Sequence, residues 1–388
     1  MSNLPKTACA YPFKAAMQMH GTPTTPCCRF HDRFLSEDDK KLDHVDMFAD
    51  IRETMMRDEW HPGCYKCKAD EETKGSSMRT EADEFFTDFT DSVRLEYLEI
   101  TVGRLCNLAC MSCGFEFSHT WDSDSIDLDL PSLYKLDHFK KHSELDLDKL
   151  DVNELKHLKY LKVTGGEPFL HQQFLRLITR LAEANIAPNI EIEIFTNCTW
   201  WPKKADYDSL LQFKKLIITA SIDAYQDLND ILRHPSKWNV IESTLDKWID
   251  MRSQYDGKVE VNIASTISVL NAPDMFDFMT WARLEKKVPV ILQTVYEPHY
   301  MSITHWPDWF KEKLQKKVAS QFKNCDKKLN RLPKLVDSLT STNSVDDNSS
   351  LYKEEMVKLL ELRQYSINSC VGFDSIINSY KQDIAWKI

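Results

Sequence analysis

Three cysteines in one short loop carry the first sign of chemistry. Cys106, Cys110 and Cys113 fall in C-x3-C-x2-C spacing within LEYLEITVGRLCNLACMSCGF, directly after a stretch that alternates as a strand does. Three thiolates this close can hold three corners of a cubane [4Fe–4S] cluster, because iron–sulfur sites are ligated by cysteine thiolate. The fourth iron is then left to bind something other than a nearby side chain. Zinc instead asks for a fourth cysteine or histidine to close its tetrahedron. His119, shortly after the loop, makes a Cys3His zinc site the alternative. His119 and Trp121 can also be read as substrate contacts or as ordinary packing.

A second constellation lies upstream: Cys9, the double cysteine Cys27–Cys28, and the C-x2-C pair Cys64 and Cys67. Four ligands from this set would close around zinc or a second iron–sulfur cluster, and spacing does not separate those metals. Eleven cysteines in all, an odd number with no export signal, argue against a disulfide framework. Cys198, Cys325 and Cys370 are isolated and read as buried small hydrophobes. Cys198, beside Asn197 at a strand end, has an active-site position as its other reading.

These residues must be positioned by something, and from Arg94 onward strand and helix signals alternate. Candidate strands cover 95–102, 160–164, 190–195, 215–221, 259–268 and 288–295. Helical patterns fill 174–184, with Leu175, Ile178 and Leu181 on one stripe, then 240–251 and 274–287. Strands alternating with helices imply parallel strands joined by right-handed crossovers, hence a barrel or a doubly wound sheet. The segment 114–159 is too long for a simple crossover and reads as an insertion. Residues 307–323 and 353–365 read as further helices, separated by the polar SLTSTNSVDDNSS; the acidic stretch 36–46 reads as a solvated face or linker. The expected division is 1–92, 93–305 and 306–388.

A second motif closes the 160–164 strand. In YLKVTGGEPFL, Gly165 and Gly166 allow close backbone approach, and the Glu167 carboxylate before Pro168 can pair with an ammonium group. Taken with the three-cysteine loop, the chain resembles the radical S-adenosylmethionine superfamily. That resemblance implies an α/β fold, a partial (β/α)6 TIM-type barrel, with a small N-terminal cysteine-rich module and C-terminal helices. It implies a [4Fe–4S] cluster whose open iron binds S-adenosylmethionine, reductive cleavage of that cofactor, and a 5′-deoxyadenosyl radical that abstracts hydrogen from substrate. Gly165, Gly166, Glu167 and Pro168 would receive the cofactor's amino group. Ser112 departs from the pattern, since the position before the last cysteine is commonly aromatic.

Weaker matches follow at successive strand ends, where barrel active sites gather: Thr196 and Asn197, Ser221 and Asp223, and Arg233, with Asn197, Ser221 and Arg233 taken as cofactor contacts. Tyr296, Glu297, His299 and Tyr300 would crowd the barrel mouth as substrate contacts or aromatic caps. The stretches CAYPF…GTPTTPCC and WHPGCYKCKADEETKGSSMR resemble a twitch module, a shortened SPASM domain, which implies that the N-terminal cysteines hold an auxiliary iron–sulfur cluster. Spacing from Gly21 slightly favours Cys27 over Cys28. Such modules often accompany peptide maturation, so a peptide side chain is the first expected substrate, a nucleotide or sugar the next. The expected partner is an electron donor such as flavodoxin or ferredoxin.

Composition narrows the rest. A net charge of −11 spread along the chain argues against a nucleic-acid polymer or an anionic membrane as partner. No apolar run approaches the roughly 20 residues that cross a bilayer, and the N-terminus carries no basic-then-apolar export pattern, so a cytoplasmic enzyme is expected. With 9 glycines there is little room for a phosphate-cradling loop.

Overall fold

Apolar and polar residues alternate along LEYLEIT, YLKVT and EIEIFT, and the strands they form bury every second side chain. In this computed structural model they are β2 (Tyr97–Thr101), β3 (Tyr160–Thr164) and β4 (Glu191–Thr196). Leu98, Ile100, Leu161, Val163, Ile192 and Ile194 are fully buried on one face. The helix expected over 174–184 forms as Gln172–Glu183 and buries Phe174, Leu177, Ile178 and Leu181. Leu175, expected on that stripe with Ile178 and Leu181, is only half-buried.

Described residues are 4–18, 24–31, 44–86, 89–127, 146–323, 325, 329, 331–341 and 349–380. Gly21, residues 36–43 of the acidic stretch, 128–145 of the expected insertion and 342–348 of the polar stretch lie outside them.

All six expected strands form, continued by β5 (Lys215–Ser221), β6 (Val259–Ile267) and β7 (Val290–Thr294). A seventh, β1 (Ala15–Gln18), comes from the cysteine-rich N-terminal region and pairs in parallel with β2, Ala15 opposite Tyr97. The strand order is β1 to β7 without reversal. A doubly wound sheet reverses direction at a switch point; unbroken sequential order is the winding of a TIM-type barrel, here partial.

The chain divides into two compact units. The first holds Met1–Arg104, Leu136–Phe195 and Pro202–Ile217; the second holds Leu105–Lys135, Thr196–Trp201 and Ile218–Ile388. The first contains the N-terminal cysteines and the glycine-rich turn, the second the three-cysteine loop. Among the described residues no helix is long and apolar enough to cross a membrane.

Candidate metal and cofactor site

In the first unit, β2 and β3 end in register at Thr101 and Thr164, whose hydroxyls lie 3.2 Å apart. The chain leaving each strand is stitched to the other: Val102 N–H donates to the Thr164 carbonyl at 2.9 Å and Gly166 N–H to the Gly103 carbonyl at 2.8 Å. Gly165 has φ +125°, and a Cβ there would sit 2.9 Å from the Val102 nitrogen and 3.1 Å from the Gly103 oxygen. Both the conformation and the space demand glycine. Pro168 then opens the short turn Pro168–Leu170, capped by Glu167, whose Oε1 accepts the Phe169 N–H at 3.3 Å. The Glu167 side chain is fully buried.

The half-buried face of these strands carries groups that sequence reasoning passed over. Lys162 and Glu99 form an ion pair at 3.1 Å, Tyr160 donates to Glu193 at 2.9 Å, and the Tyr97 and Tyr160 rings stack 5.5 Å apart. Their signal was the polar half of the same alternation that identified the strands.

The N-terminal cysteines converge within this unit. Cys9, Cys27, Cys64 and Cys67 line one recess of about 390 Å³, walled by Tyr11, Phe30, Trp60 and Met78 among others. Cys64 closes the turn Pro62–Cys64, which His61 caps by accepting the Gly63 N–H at 3.1 Å, and Cys67 lies in the first turn of helix Tyr65–Lys74. Three residues apart across that helix start, both thiols share a face. Cys28 is exposed, its sulfur 3.7 Å from the Met78 sulfur, and does not line the recess. Burial pushes the Cys27 and Cys64 thiols up to about 12 and holds Cys9 well above its ordinary value, with neighbouring thiols adding to each.

In the second unit the loop Cys106–Cys113 is tied down from both sides. Ala109 N–H donates to the His234 carbonyl at 2.6 Å and Met111 N–H to the Leu232 carbonyl at 2.7 Å. Asn197, at the end of β4, donates to Asn107 Oδ1 at 2.9 Å and to the Cys106 sulfur at 3.8 Å. Its Oδ1 accepts from the Thr199 N–H and hydroxyl at 2.9 and 2.6 Å. The amide expected to meet a ribose or carboxylate is thus engaged with the cysteine loop. His119, weighed as a fourth zinc ligand, accepts the Cys106 N–H on Nδ1 at 3.2 Å.

Arg233 also points to this loop. Its guanidinium pairs with Asp223 at 2.7 Å, and Asp223 is fixed in turn by the Thr266 N–H at 2.8 Å. Burial pushes Cys110 up to about 11, with the Arg233 charge opposing it; burial and the neighbouring thiols hold Cys113 well above its ordinary value. Ser221 closes β5 and is half-buried. Cys198 and Cys370 are buried and Cys325 half-buried. Beyond β7, Tyr296 and Glu297 are exposed, Tyr300 is buried, and His299 stacks on His305 with ring centroids 4.1 Å apart.

Among the described residues no three Cys, His, Asp or Glu side chains are arranged to hold a single metal ion. A cubane asks for no such convergence, because each thiolate takes a separate iron. The donor sets fit that group: three thiols on one braced loop, and four around one recess.

The first of the solved structures similar to this chain is that of Streptococcus suis SuiB bound to S-adenosylmethionine, 15% identical with TM-score 0.39, covering 58% of this chain and 47% of that one. Native anSMEcpe with bound AdoMet is 15% identical with TM-score 0.36, covering 64% and 62%. TYW1 with a lysine–pyruvate adduct bound is 15% identical with TM-score 0.33, covering 70% and 81%. The chain spans about half the length of the first of these. No family model matches the chain. No curated protein matches it either.

Proposed function

We propose that this protein is a radical S-adenosylmethionine enzyme carrying a second, auxiliary iron–sulfur cluster. The observation that carries the reading is the pairing of motifs at adjacent parallel strand ends: the three-thiol loop begins just after β2, and the Gly165–Pro168 turn is hydrogen-bonded to that same exit after β3. Barrel chemistry gathers at such C-terminal strand ends.

Cys106, Cys110 and Cys113 would hold three irons of a [4Fe–4S] cluster. When bound, that cluster supplies the electron for reductive cleavage of S-adenosylmethionine, whose 5′-deoxyadenosyl radical takes a hydrogen from substrate. Gly165 and Gly166 would let backbone approach the cofactor, and the Glu167 carboxylate would pair with its ammonium group. Asn197 supports the Cys106 sulfur, and the Asp223–Arg233 pair sets a fixed cation beside Cys110, where negative charge collects on the thiolates. Arg233 and Ser221 stand as contacts to the cofactor's polar groups. Cys9, Cys27, Cys64 and Cys67 would hold the auxiliary cluster, with Cys28 a spare. The substrate proposed is a peptide side chain, with Glu99 and Lys162 supplying polar contacts, and the electron comes from a cytoplasmic donor such as flavodoxin or ferredoxin.

Iron content tests the reading. Anaerobically purified protein is expected to be brown, with about eight irons per chain, four to each cubane. Colourless protein with two zincs would return the structural-zinc alternative.

A further inference from the structure

Ala109, Cys110 and Met111 are each braced, and the braces lead to one place. The Trp121 indole N–H donates to the Cys110 carbonyl at 3.1 Å, and the ring is fully buried. Over its face lies the Arg363 guanidinium, 4.5 Å from the ring centroid, with Nε and Nη2 donating to Asp124 Oδ2 at 2.9 and 2.6 Å. The Tyr300 hydroxyl donates to the Met111 carbonyl at 3.4 Å from the turn His299–Met301, on which helix Ser349–Leu362 packs. The Tyr365 hydroxyl meets His234 Nδ1 at 3.2 Å, and the His234 carbonyl receives the Ala109 N–H.

Arg363 and Tyr365 flank the stop of that helix. Tyr365 N–H returns to the Leu360 carbonyl at 2.8 Å and Gln364 N–H to the Glu361 carbonyl at 2.9 Å, the paired bonds of a Schellman stop. Gln364 takes φ +62°, where glycine is preferred, so the turn that aims its two neighbours is held against local preference. Arg363 is a buried cation with its Nη1 lacking a hydrogen-bond partner. Burying a cation is costly unless it is paired, and Asp124 and the Trp121 face supply that pairing here.

We propose that Arg363 is a positioning residue for the cysteine loop: it clamps Trp121 onto the Cys110 carbonyl and places a fixed positive charge that poises the cluster bound there. This rests on the radical S-adenosylmethionine reading. A reduced cluster carries one more negative charge than the oxidised one, so a buried cation nearby favours reduction.

The test is an anaerobic redox titration of the reconstituted full chain, followed by the electron paramagnetic resonance of the cluster whose signal responds to S-adenosylmethionine. Arg363→Gln is expected to lower that cluster's midpoint potential, Arg363→Lys to restore most of it, and the other cluster to be unchanged in both. An Arg363→Gln potential equal to wild type would overturn the proposal. If Arg363→Gln does not fold, Trp121→Phe keeps a ring for the cation and removes the indole donor. It is expected to shift the signal of the same cluster and hasten iron loss to a chelator, and an unshifted signal with unchanged iron retention would overturn the proposal. Wild-type protein with no cluster responding to S-adenosylmethionine would defeat the underlying reading, and this inference with it.

Discussion

The two cysteine regions differ in number and in surroundings. Four thiols line the N-terminal recess among aromatic and apolar walls. Three occupy the loop after β2, where the neighbours are an asparagine amide, an Arg–Asp pair and the Leu232 and His234 carbonyls, which accept the loop's backbone N–H groups. Four thiolates complete the ligand shell of a cubane and leave nothing to bind, which suits an electron relay or a structural brace. On the proposed reading, three would leave a corner for a cofactor, and the polar, hydrogen-bonded setting of the loop would hold that corner in place. Thiol count and local polarity, more than cysteine content, are therefore what would separate a reactive centre from a supporting one under the proposed function.

The largest effect should come from breaking the loop. Cys110→Ala is expected to abolish 5′-deoxyadenosine formation and remove about four of the eight irons, leaving the other cluster's spectrum intact. Cys64→Ala should mirror it, losing the auxiliary irons while retaining part of the cofactor cleavage. Full wild-type substrate turnover in that variant would deny the auxiliary cluster a role.

Glu167→Ala should weaken S-adenosylmethionine binding by about 1.5–3 kcal/mol, the worth of a charged hydrogen bond, or roughly 10- to 160-fold by calorimetry. Unchanged affinity would take Glu167 out of the site. The double cysteine then sharpens the comparison: Cys27→Ala should cost the auxiliary irons and Cys28→Ala none, because only Cys27 of the two faces the recess.

The smallest effect is one of pH in metal-free protein. Burial raises Cys27 and Cys64 from an ordinary 9.0 to about 12. A raised thiol value stabilises the fold below the ordinary value and that contribution is lost as pH climbs toward the raised one. Melting temperature should therefore fall between about pH 9 and 12, and Cys27→Ala should blunt the fall more than Cys110→Ala, since Arg233 opposes burial at Cys110.

Much of this was legible in the residues. Period-two alternation placed β2 to β4, and the cysteine spacings marked both groups. β1 was missed because AAMQ is short and has no alternation to show; its strand character comes from pairing with β2. Asn197 was expected as a cofactor contact, and its hydrogen bond to the Cys106 sulfur joins positions 91 apart in sequence, which no local pattern reveals. The same holds for Arg363 and Asp124, 239 positions apart.

The most direct measurement is to incubate anaerobic, iron-replete protein with S-adenosylmethionine and dithionite and to assay 5′-deoxyadenosine by mass spectrometry. The nucleoside should form in the wild type and be absent from Cys106→Ala, Cys110→Ala and Cys113→Ala. Iron-replete wild-type protein that releases none would contradict it.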